Sequence, residues 1–490
     1  MKSLGPKRHA RRPPTRMTTT LPGSRREVMR LAWPIGVSMM SFTMKGFVDT
    51  LMVGQLGTDA LGAVGFASVA TWFVLCFPWG ILRGQRPLVS QYLGAGDRSL
   101  AFSFGVHAFA LALISGILLM MLAGPLADAF RFFSSTTELS VAGQEIGSSY
   151  FRIRLMWLMP TLLTFAIAEY LRSVGNTRVP MVVDLVVHPV NIALNYALIF
   201  GYWGAPQMGA DGAALGTGLA DLAGLGLILF LCKPKHKFNA ETLRLRWDRM
   251  REVIKVGFTG GIQFSLENLS FLSITWIVGK TDDVALAVHQ AGIQLVHLSL
   301  LPAVAIGDAG SVLIGKFVGE FDFDAVRRTL RSTLQIMIPF MMSMAVIYLV
   351  FGRELAGIFL KNDDPDTLEY ALDLGKGVMA ACALWQLGDA FQVAFRFALR
   401  AAGDHIWVMW IGILCTWLLS IPLALAVVYW FDGDVVDVWF TWSAEIFVGS
   451  GIFLWRWNSG AWMKKRLVQD GAEAGVSEGL ESSGQDSTID

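Results

Sequence analysis

Two acidic residues lie where a charged side chain is costly. Glu267 and Asp389 each lie near the middle of a long apolar stretch, and neither has an obvious basic neighbour on its own stretch. A charge at the centre of a bilayer costs about 2.5–3.5 kcal/mol, so an ionisable residue there is a candidate functional group. Two such carboxylates need a cation, which predicts a site for Na+ or H+. The alternative is a structural carboxyl that burial keeps neutral.

The composition indicates that these apolar stretches are membrane spans. The chain has 490 residues, 54% hydrophobic and 16% charged, which is too apolar for a set of soluble domains. A spanning helix needs about 20 mostly apolar residues, and the stretches are too long and too evenly apolar for the strands of a barrel. The sequence therefore predicts an all-α integral membrane protein with twelve transmembrane helices, at 28–53, 60–93, 100–124, 145–172, 178–200, 209–232, 252–278, 284–318, 328–352, 369–401, 405–430 and 438–462.

Loop charge predicts the orientation, because Lys and Arg close to a span stay on the cytoplasmic side. The segment 1–26 and the connection 234–251 are rich in Lys and Arg. Almost no positive charge is found in the opposite connections, at 55–59, 201–211, 361–366 and 431–437. Both termini are therefore predicted to be cytoplasmic, in the inner membrane of a cell. The tail 464–490 has the composition of a disordered segment, and we expect no cleavable secretory signal.

The sequence also limits the partners. No G-x-x-x-x-G-K-[ST] phosphate loop is found, so hydrolysis of a nucleotide is not predicted. We expect no enzymatic activity, no cofactor and no nucleic-acid partner, and a monomer that contacts the lipid bilayer and small-molecule substrates. Neither a disulfide framework nor a zinc site is indicated by the cysteines, which fall within or at the end of predicted spans: Cys76, Cys232, Cys382 and Cys415.

Short motifs recur in the second half of the chain. Residues 53–54, 94–97 and 171–176 are similar to residues 278–279, 319–322 and 399–404, displaced by 225, 225 and 228 positions. Chance similarity of Gly-rich turns is the alternative. The shared displacement favours a repeat of six spans, with one lobe at 27–233, a linker at 234–251 and a second lobe at 252–463. Transporters built from two related bundles place their sites near the midplane, between or within the bundles.

Short motifs follow one another over nearly the whole chain. They are Phe47-Val48-Asp49-Thr50, Met52-Val53-Gly54, Gly94-Ala95-Gly96-Asp97, Leu171-Arg172, Gly175-Asn176-Thr177, Asn191-Ile192-Ala193-Leu194-Asn195-Tyr196, the run 209–217, His289-Gln290, Leu399-Arg400 and Gly403-Asp404. These motifs, in this order, resemble those of a known family, the MATE (multidrug and toxic compound extrusion) transporters. The resemblance implies two six-helix lobes in a V and export of bulky, often cationic, aromatic compounds, driven by an inward Na+ or H+ gradient.

The resemblance extends to the NorM-like branch of the family. In that branch a seventh-span Glu stands ten residues after a Gly, as Glu267 follows Gly257. A tenth-span Asp stands eleven residues before an Arg, as Asp389 precedes Arg400. The resemblance implies that Glu267 and Asp389 bind the coupling ion in the C-terminal lobe, and that they would be the ligands if the ion is the metal Na+.

Asp49 matches the first-span Asp of the family, to which the resemblance assigns proton or substrate binding. Lys45 lies one turn earlier, at the i,i+4 spacing where opposite charges meet. A Lys at this position is not part of the family pattern. The pair is therefore either part of the working site or purely structural.

The resemblance implies further polar groups. Asn191 and Asn195 match a polar pair of the fifth span, where some members carry Asp at the second position, and they would hydrogen-bond Asp49 or substrate. Gln290, from the family-like motif of the second half, is assigned to the same substrate or polar network. His188 lies on the same helix face as Asn191, either as a packing residue or as a titrating group.

Arg83 and Asp308 occupy equivalent positions in the two halves, each eleven residues before a Gly at the predicted cytoplasmic end of its span. This matching depth predicts that they pair across the lobes when the cytoplasmic side is closed. Snorkelling of Arg83 towards water is the simpler alternative. The sequence assigns no role to four further ionisable residues in predicted spans: Asp184, Asp221, Arg396 and Glu445.

Two other classes of protein fit parts of the sequence. A flippase for lipid-linked oligosaccharides shares the architecture, but we expect it to need a more cationic cavity for a pyrophosphate. A membrane-embedded enzyme would need His and carboxylates at metal-ligand spacing, which His107, His188, His289 and His297 do not offer. The sequence favours an antiporter that exports organic cations, and it leaves the substrate and the choice between Na+ and H+ open.

Overall fold

Backbone N–H and C=O groups inside a bilayer need partners within the protein, and a helix supplies them locally. The computed structural model describes four ranges of the chain, 21–136, 139–232, 240–360 and 364–468. Within these ranges the chain forms helices and no strand. The predicted N-terminal segment 1–26, linker 234–251 and tail 464–490 lie partly outside the described residues.

Twelve long helical elements of the described residues run back and forth across the molecule. They confirm the predicted all-α fold with twelve transmembrane helices in two six-helix lobes. The elements are α1 (Arg25–Gly54), α2 (Thr58–Gly94), α3 (Arg98–Met121), α4 (Val141–Met156 with Leu158–Ser173), α5 (Arg178–Phe200), α6 (Ala210–Leu231), α7 (Trp247–Val278), α8 (Asp283–Gly319), α9 (Phe323–Val350), α10 (Pro365–Ala401), α11 (His405–Trp430) and α12 (Val435–Asn458).

The twelve helical elements differ in how apolar they are. Nine of them are long and apolar enough to cross a membrane, and α4, which bends by 46° at Trp157, is a tenth if it counts as one span; this count covers the described ranges only. The other two, α1 and α7, have 30 and 32 residues but are less apolar. They carry Asp49 and Glu267, two of the candidate site residues.

The repeated Gly-x-x-Asp motif forms the same turn in both halves. Gly96 and Phe321 have positive φ angles of 90° and 59°, which turn the chain out of α2 and α8. The Asp97 and Asp322 side chains then accept hydrogen bonds from the backbone N–H three residues on, at 2.9 and 3.0 Å, and cap α3 and α9. Equivalent positions therefore perform the same local task, as a repeat requires.

The first turns of α1 and α7 are exchanged between the lobes. Val28 and Leu31 of α1 are buried in the core of the second lobe, α7–α12. Val253 and Val256 of α7, their equivalents at the displacement of 225, are buried in the core of the first lobe, α1–α6. Each lobe thus holds the start of the other's first helix, which joins the two hydrophobic cores.

Further along α7, beyond its exchanged first turn, the helix contacts α2 at glycines. A Cβ on Gly80 would collide with the backbone of Gly261, and one on Gly84 would collide with the backbone of Gly257. We call these four residues the glycine contact. Membrane helices approach this closely only where the facing residues are small, because lipid provides no hydrophobic drive for association and packing must supply it.

The glycine contact makes a prediction about stability. Gly84→Leu should destabilise the protein by about 1–3 kcal/mol, because the added side chain forces two backbones apart. Thermal unfolding in detergent measures the loss. Gly65→Leu on the same helix is the control, since no atom lies within 4 Å of a Cβ there. Equal melting temperatures for the two variants would contradict the close approach of α2 and α7.

Candidate functional site

In the first lobe, the polar residues expected on α1 and α5 come together. Asn195 Nδ2 donates a hydrogen bond to Asp49 Oδ1 at 2.8 Å and lies 3.5 Å from Asn191 Oδ1. Asn191 Nδ2 donates to Thr217 Oγ1 of α6 at 3.1 Å. Because the two Asn residues are one turn apart, both amides lie on the buried face of α5. Asp49 therefore lies at one end of a chain of buried amides.

Lys45 pairs with a different acid from the expected one. Its Nζ lies 3.8 Å from Oδ1 of Asp221 on α6, and the described residues contain no ion pair between Lys45 and Asp49. Arg154 Nη1 of α4 lies 4.0 Å from Asp221 Oδ2, which also accepts a hydrogen bond from Thr161 at 2.6 Å. The i,i+4 pair is not formed because a carboxylate from a neighbouring helix reaches Lys45 instead.

Two further predicted residues have few contacts. Neither ring nitrogen of His188 has a hydrogen-bond partner in the described part of the chain. Gln290 on α8 is exposed and makes no side-chain hydrogen bond within the described ranges, so the structure does not bring it into the polar network. Its neighbour His289 is buried instead, and contacts Trp439 Nε1 and Thr275 Oγ1, each at 3.1 Å.

In the second lobe, Glu267 has a resident cation. Arg396 of α10 donates from Nη1 to Glu267 Oε1 at 2.7 Å and from Nη2 to Oε2 at 3.4 Å. Gln263 Nε2 adds a hydrogen bond to Oε1 at 2.7 Å, and its own carbonyl oxygen accepts from Arg400. The expectation that Glu267 is unpaired is therefore wrong in this conformation. The sequence did not reveal the pair because the guanidinium comes from a different helix.

Asp389 of α10 and Glu445 of α12 are buried without such a partner. The two residues are 6% and 4% exposed, and neither takes part in an ion pair in the described ranges. The side chain of Trp385 hydrogen-bonds to Asp389. The two helices approach closely at Gly388, whose carbonyl oxygen accepts a hydrogen bond from Ser450 at 2.7 Å. These two carboxylates are the acidic groups of the second lobe that can take up a cation.

The predicted Na+ ligands do not form a finished metal site. No three His, Cys, Asp or Glu side chains converge to hold a metal ion among the residues that the structure describes. Of the two predicted ligands, Glu267 is bonded to Arg396, and Asp389 remains free to bind an ion. A monovalent cation or a proton would therefore be received chiefly at Asp389, with Glu445 close by on α12.

The expected bridge between the lobes exists, but with another arginine. Asp308 of α8 accepts hydrogen bonds from Arg86, to Oδ1 from Nη1 and to Oδ2 from Nη2 at 3.2 Å. Arg86 also donates to Glu169 of α4 at 2.6 Å, and Arg172 donates to the other oxygen of Glu169 at 3.1 Å. Arg83 does not reach Asp308, and its Nε has no hydrogen-bond partner in the described chain. The prediction chose the arginine one turn too early.

We call Arg86, Glu169 and Asp308 the interlobe bridge. All three residues are buried, with side chains at most 9% exposed. Further contacts join the lobes nearby, because Gln91 Nε2 donates to Ala401 O at 2.7 Å and Gln91 Oε1 accepts from Leu467 N at 2.9 Å. The lobes are therefore closed on the predicted cytoplasmic side.

Towards the opposite side, fewer polar contacts join the lobes. Within the described ranges, the outermost hydrogen bond between them joins Trp72 Nε1 of α2 to Asn268 Oδ1 of α7, at 3.0 Å. The hydrogen bonds between the lobes are therefore concentrated at the predicted cytoplasmic end.

Several residues of this region were not singled out in the sequence. Arg86, Arg154 and Glu169 are charged residues inside predicted spans, so the argument that selected Glu267 applies equally to them. Gln263, one turn before Glu267, gives no comparable signal, because an amide in a span is a common packing residue.

Comparison with known proteins gives a consistent result. The family model MatE matches residues 34–197 and 261–426, one segment in each lobe. A probable multidrug resistance protein NorM of Thermotoga maritima is 27% identical over 453 residues, 91% of this chain and 95% of that protein. Another, of Pseudomonas aeruginosa, is 28% identical over 423 residues, 84% of each chain.

Solved structures share the fold. A multidrug resistance MATE family transporter in an outward-facing conformation has a TM-score of 0.81 and 17% identity, covering 89% of this chain and 96% of its own. A MOP superfamily transporter from Pyrococcus furiosus also has a TM-score of 0.81 and 17% identity, covering 90% and 97%.

Removal of the arginine from the interlobe bridge should be costly. Arg86→Met should lower the free energy of unfolding by about 3–5 kcal/mol, because it leaves buried carboxylates without compensation. Arg353→Met is the matched control, since Arg353 also joins two acids, Glu369 and Asp373, but at an exposed position where ion pairs add little. Denaturation of the purified proteins should show a large loss only for Arg86→Met, and similar losses would contradict the bridge.

Proposed function

Since this chain belongs to the MATE family of membrane transporters, we propose that it is a multidrug exporter that exchanges organic cations for Na+ or H+. It would act in the inner membrane with both termini in the cytoplasm. The names of its NorM relatives support drug export. The observation that carries ion exchange is the buried carboxylate of Asp389, which lies within a spanning helix and has no ion-pair partner in the described ranges.

The two lobes divide the work between them. Asp389 and Glu445 in the second lobe receive the ion, while Asp49 with its amide neighbours in the first lobe faces the cationic drug. Arg396 holds Glu267 in place and compensates one negative charge of the second lobe in this conformation. Binding of the ion at Asp389 adds one positive charge and therefore changes the net charge of the second-lobe site.

Exchange follows if the ion and the drug favour opposite states. A ligand shifts a conformational equilibrium only by its difference in affinity for the two states. The state described here is closed on the predicted cytoplasmic side, so the ion enters and the drug leaves on the other side. Opening towards the cytoplasm requires Arg86 to leave Asp308, and the released Asp308 then becomes exposed to water and to incoming drug.

Asp389 should be essential for coupled export. In cells that lack their own drug pumps, Asp389→Asn should reduce efflux of a fluorescent organic cation about tenfold or more, because an amide cannot take up a proton and binds Na+ only weakly. Asp366→Asn is the control, since it makes the same chemical change at an exposed position on the same helix. Wild-type efflux by Asp389→Asn would contradict the proposed role.

Transport measurements in proteoliposomes would identify the coupling ion. A Na+ gradient at equal pH, or a pH gradient without Na+, should drive uptake of the same cation by the purified protein, and the effective gradient names the ion. If neither gradient moves the compound while the protein binds it, exchange is the wrong mechanism.

A further inference from the structure

We propose that Lys45 and Arg154 form a binding site for the carboxylate of zwitterionic substrates, next to the acidic site at Asp49. This inference rests on the proposed export function and narrows its substrate class. It assigns a role to two cations inside the first lobe that export of simple cations leaves unexplained, since a positive side chain there repels such a substrate.

Lys45 and Arg154 both lie near Asp221, but neither makes a close contact with it. The distances from Asp221 to Lys45 Nζ and to Arg154 Nη1, 3.8 and 4.0 Å, are longer than hydrogen bonds. Asp221 Oδ2 instead accepts its short hydrogen bond from Thr161, at 2.6 Å. Arg154 Nη1 is buried and has no hydrogen-bond partner in the described chain. Neither cation therefore makes a short hydrogen bond to Asp221.

The surroundings are polar on several sides. On α5, Asp184, His188, Asn191 and Asn195 follow one another at intervals of four, three and four residues, which places them on one helix face. Both ring nitrogens of His188 lack hydrogen-bond partners in the described ranges. Buried polar groups normally find a partner, so a concentration of unsatisfied groups points to a missing ligand or water.

The region is not sealed. The side chain of Asp184 is 33% exposed, and those of Lys45 and Arg154 are 11% and 12% exposed. These exposed fractions show that the side chains are not completely enclosed by protein.

The charges select the class of ligand. Lys45 and Arg154 balance Asp49 and Asp221, and Arg172 lies 3.8 Å from Asp184, so the group has no net charge. Its positive and negative ends are nevertheless separate. Asp49 is held by Asn195 and lies one turn from Lys45 on α1. A molecule with an ammonium group and a carboxylate can match both ends, with the guanidinium of Arg154 suited to a planar carboxylate. A simple anion or a simple cation matches only one of them.

The test uses a zwitterionic amine with a carboxylate and its methyl ester, which keeps the skeleton and the amine but loses the negative charge. Lys45→Met and Arg154→Gln should each reduce export of the zwitterion about tenfold, the value of one lost charge-assisted hydrogen bond. Export of the ester should reach at least the wild-type rate, because the ester has no carboxylate to bind and the removed cation repels its amine. This result also shows that the variants fold. Lys45→Arg should restore most of the zwitterion export. Lys376→Met, an exposed position on α10, is the control.

The outcomes separate this site from the proposed function. Equal losses for both compounds would make Lys45 and Arg154 structural, and no loss for either would also overturn the proposal. If the wild type exports neither compound, the export function fails. Binding of the two compounds to purified wild type and Lys45→Met then decides the site alone, and it is wrong unless the variant selectively loses the zwitterion.

Discussion

The cost of removing charge from water governs this structure more than any other constraint. Inside the spans an ionisable side chain without a partner is costly, because lipid offers none. Arg86 illustrates the result, since it is held by Glu169 of its own lobe and by Asp308 of the other. A buried ion pair adds little net stability over apolar packing, but breaking it is expensive. The interlobe bridge therefore adds little net stability, and its main effect is to hold the lobes together in the state that is closed on the predicted cytoplasmic side.

The same constraint gives the two lobes different chemistry on a common backbone. Both lobes repeat the capped turn at Asp97 and Asp322 and exchange the first turns of α1 and α7. Their interiors have diverged, however. In the first lobe, Asp221 lies within 4.0 Å of two cations, Lys45 and Arg154, whereas in the second lobe neither Asp389 nor Glu445 takes part in an ion pair within the described ranges. The proposed function therefore assigns the ion to the second lobe and the drug to the first.

The sequence predicts the elements well and the partners poorly, for a physical reason. The spans, the repeat and the Gly-x-x-Asp turns depend on local length, hydropathy and backbone geometry, and these are present in the chain itself. Partners depend on which helices become neighbours. Lys45 was matched to Asp49 because they are one turn apart, but Asp221 of α6 reaches it instead. The sequence predicts a free Glu267 because Arg396 lies on another helix. It predicts Arg83 rather than Arg86 as the partner of Asp308, because equivalent positions in a repeat do not determine the direction in which a side chain points.

The glycine contact bears on how the lobes can part. Helices whose side chains interlock must change rotamers before they move, but Gly80, Gly84, Gly257 and Gly261 have no side chains to disengage. At these four positions the two helices can separate with little steric resistance. The resistance that remains comes from the exchanged first turns of α1 and α7, which stay packed in the opposite cores, and from polar bonds that water can replace. The rate of the alternating movement would then depend on ionic strength and on the protonation of a few buried groups as well as on that packing.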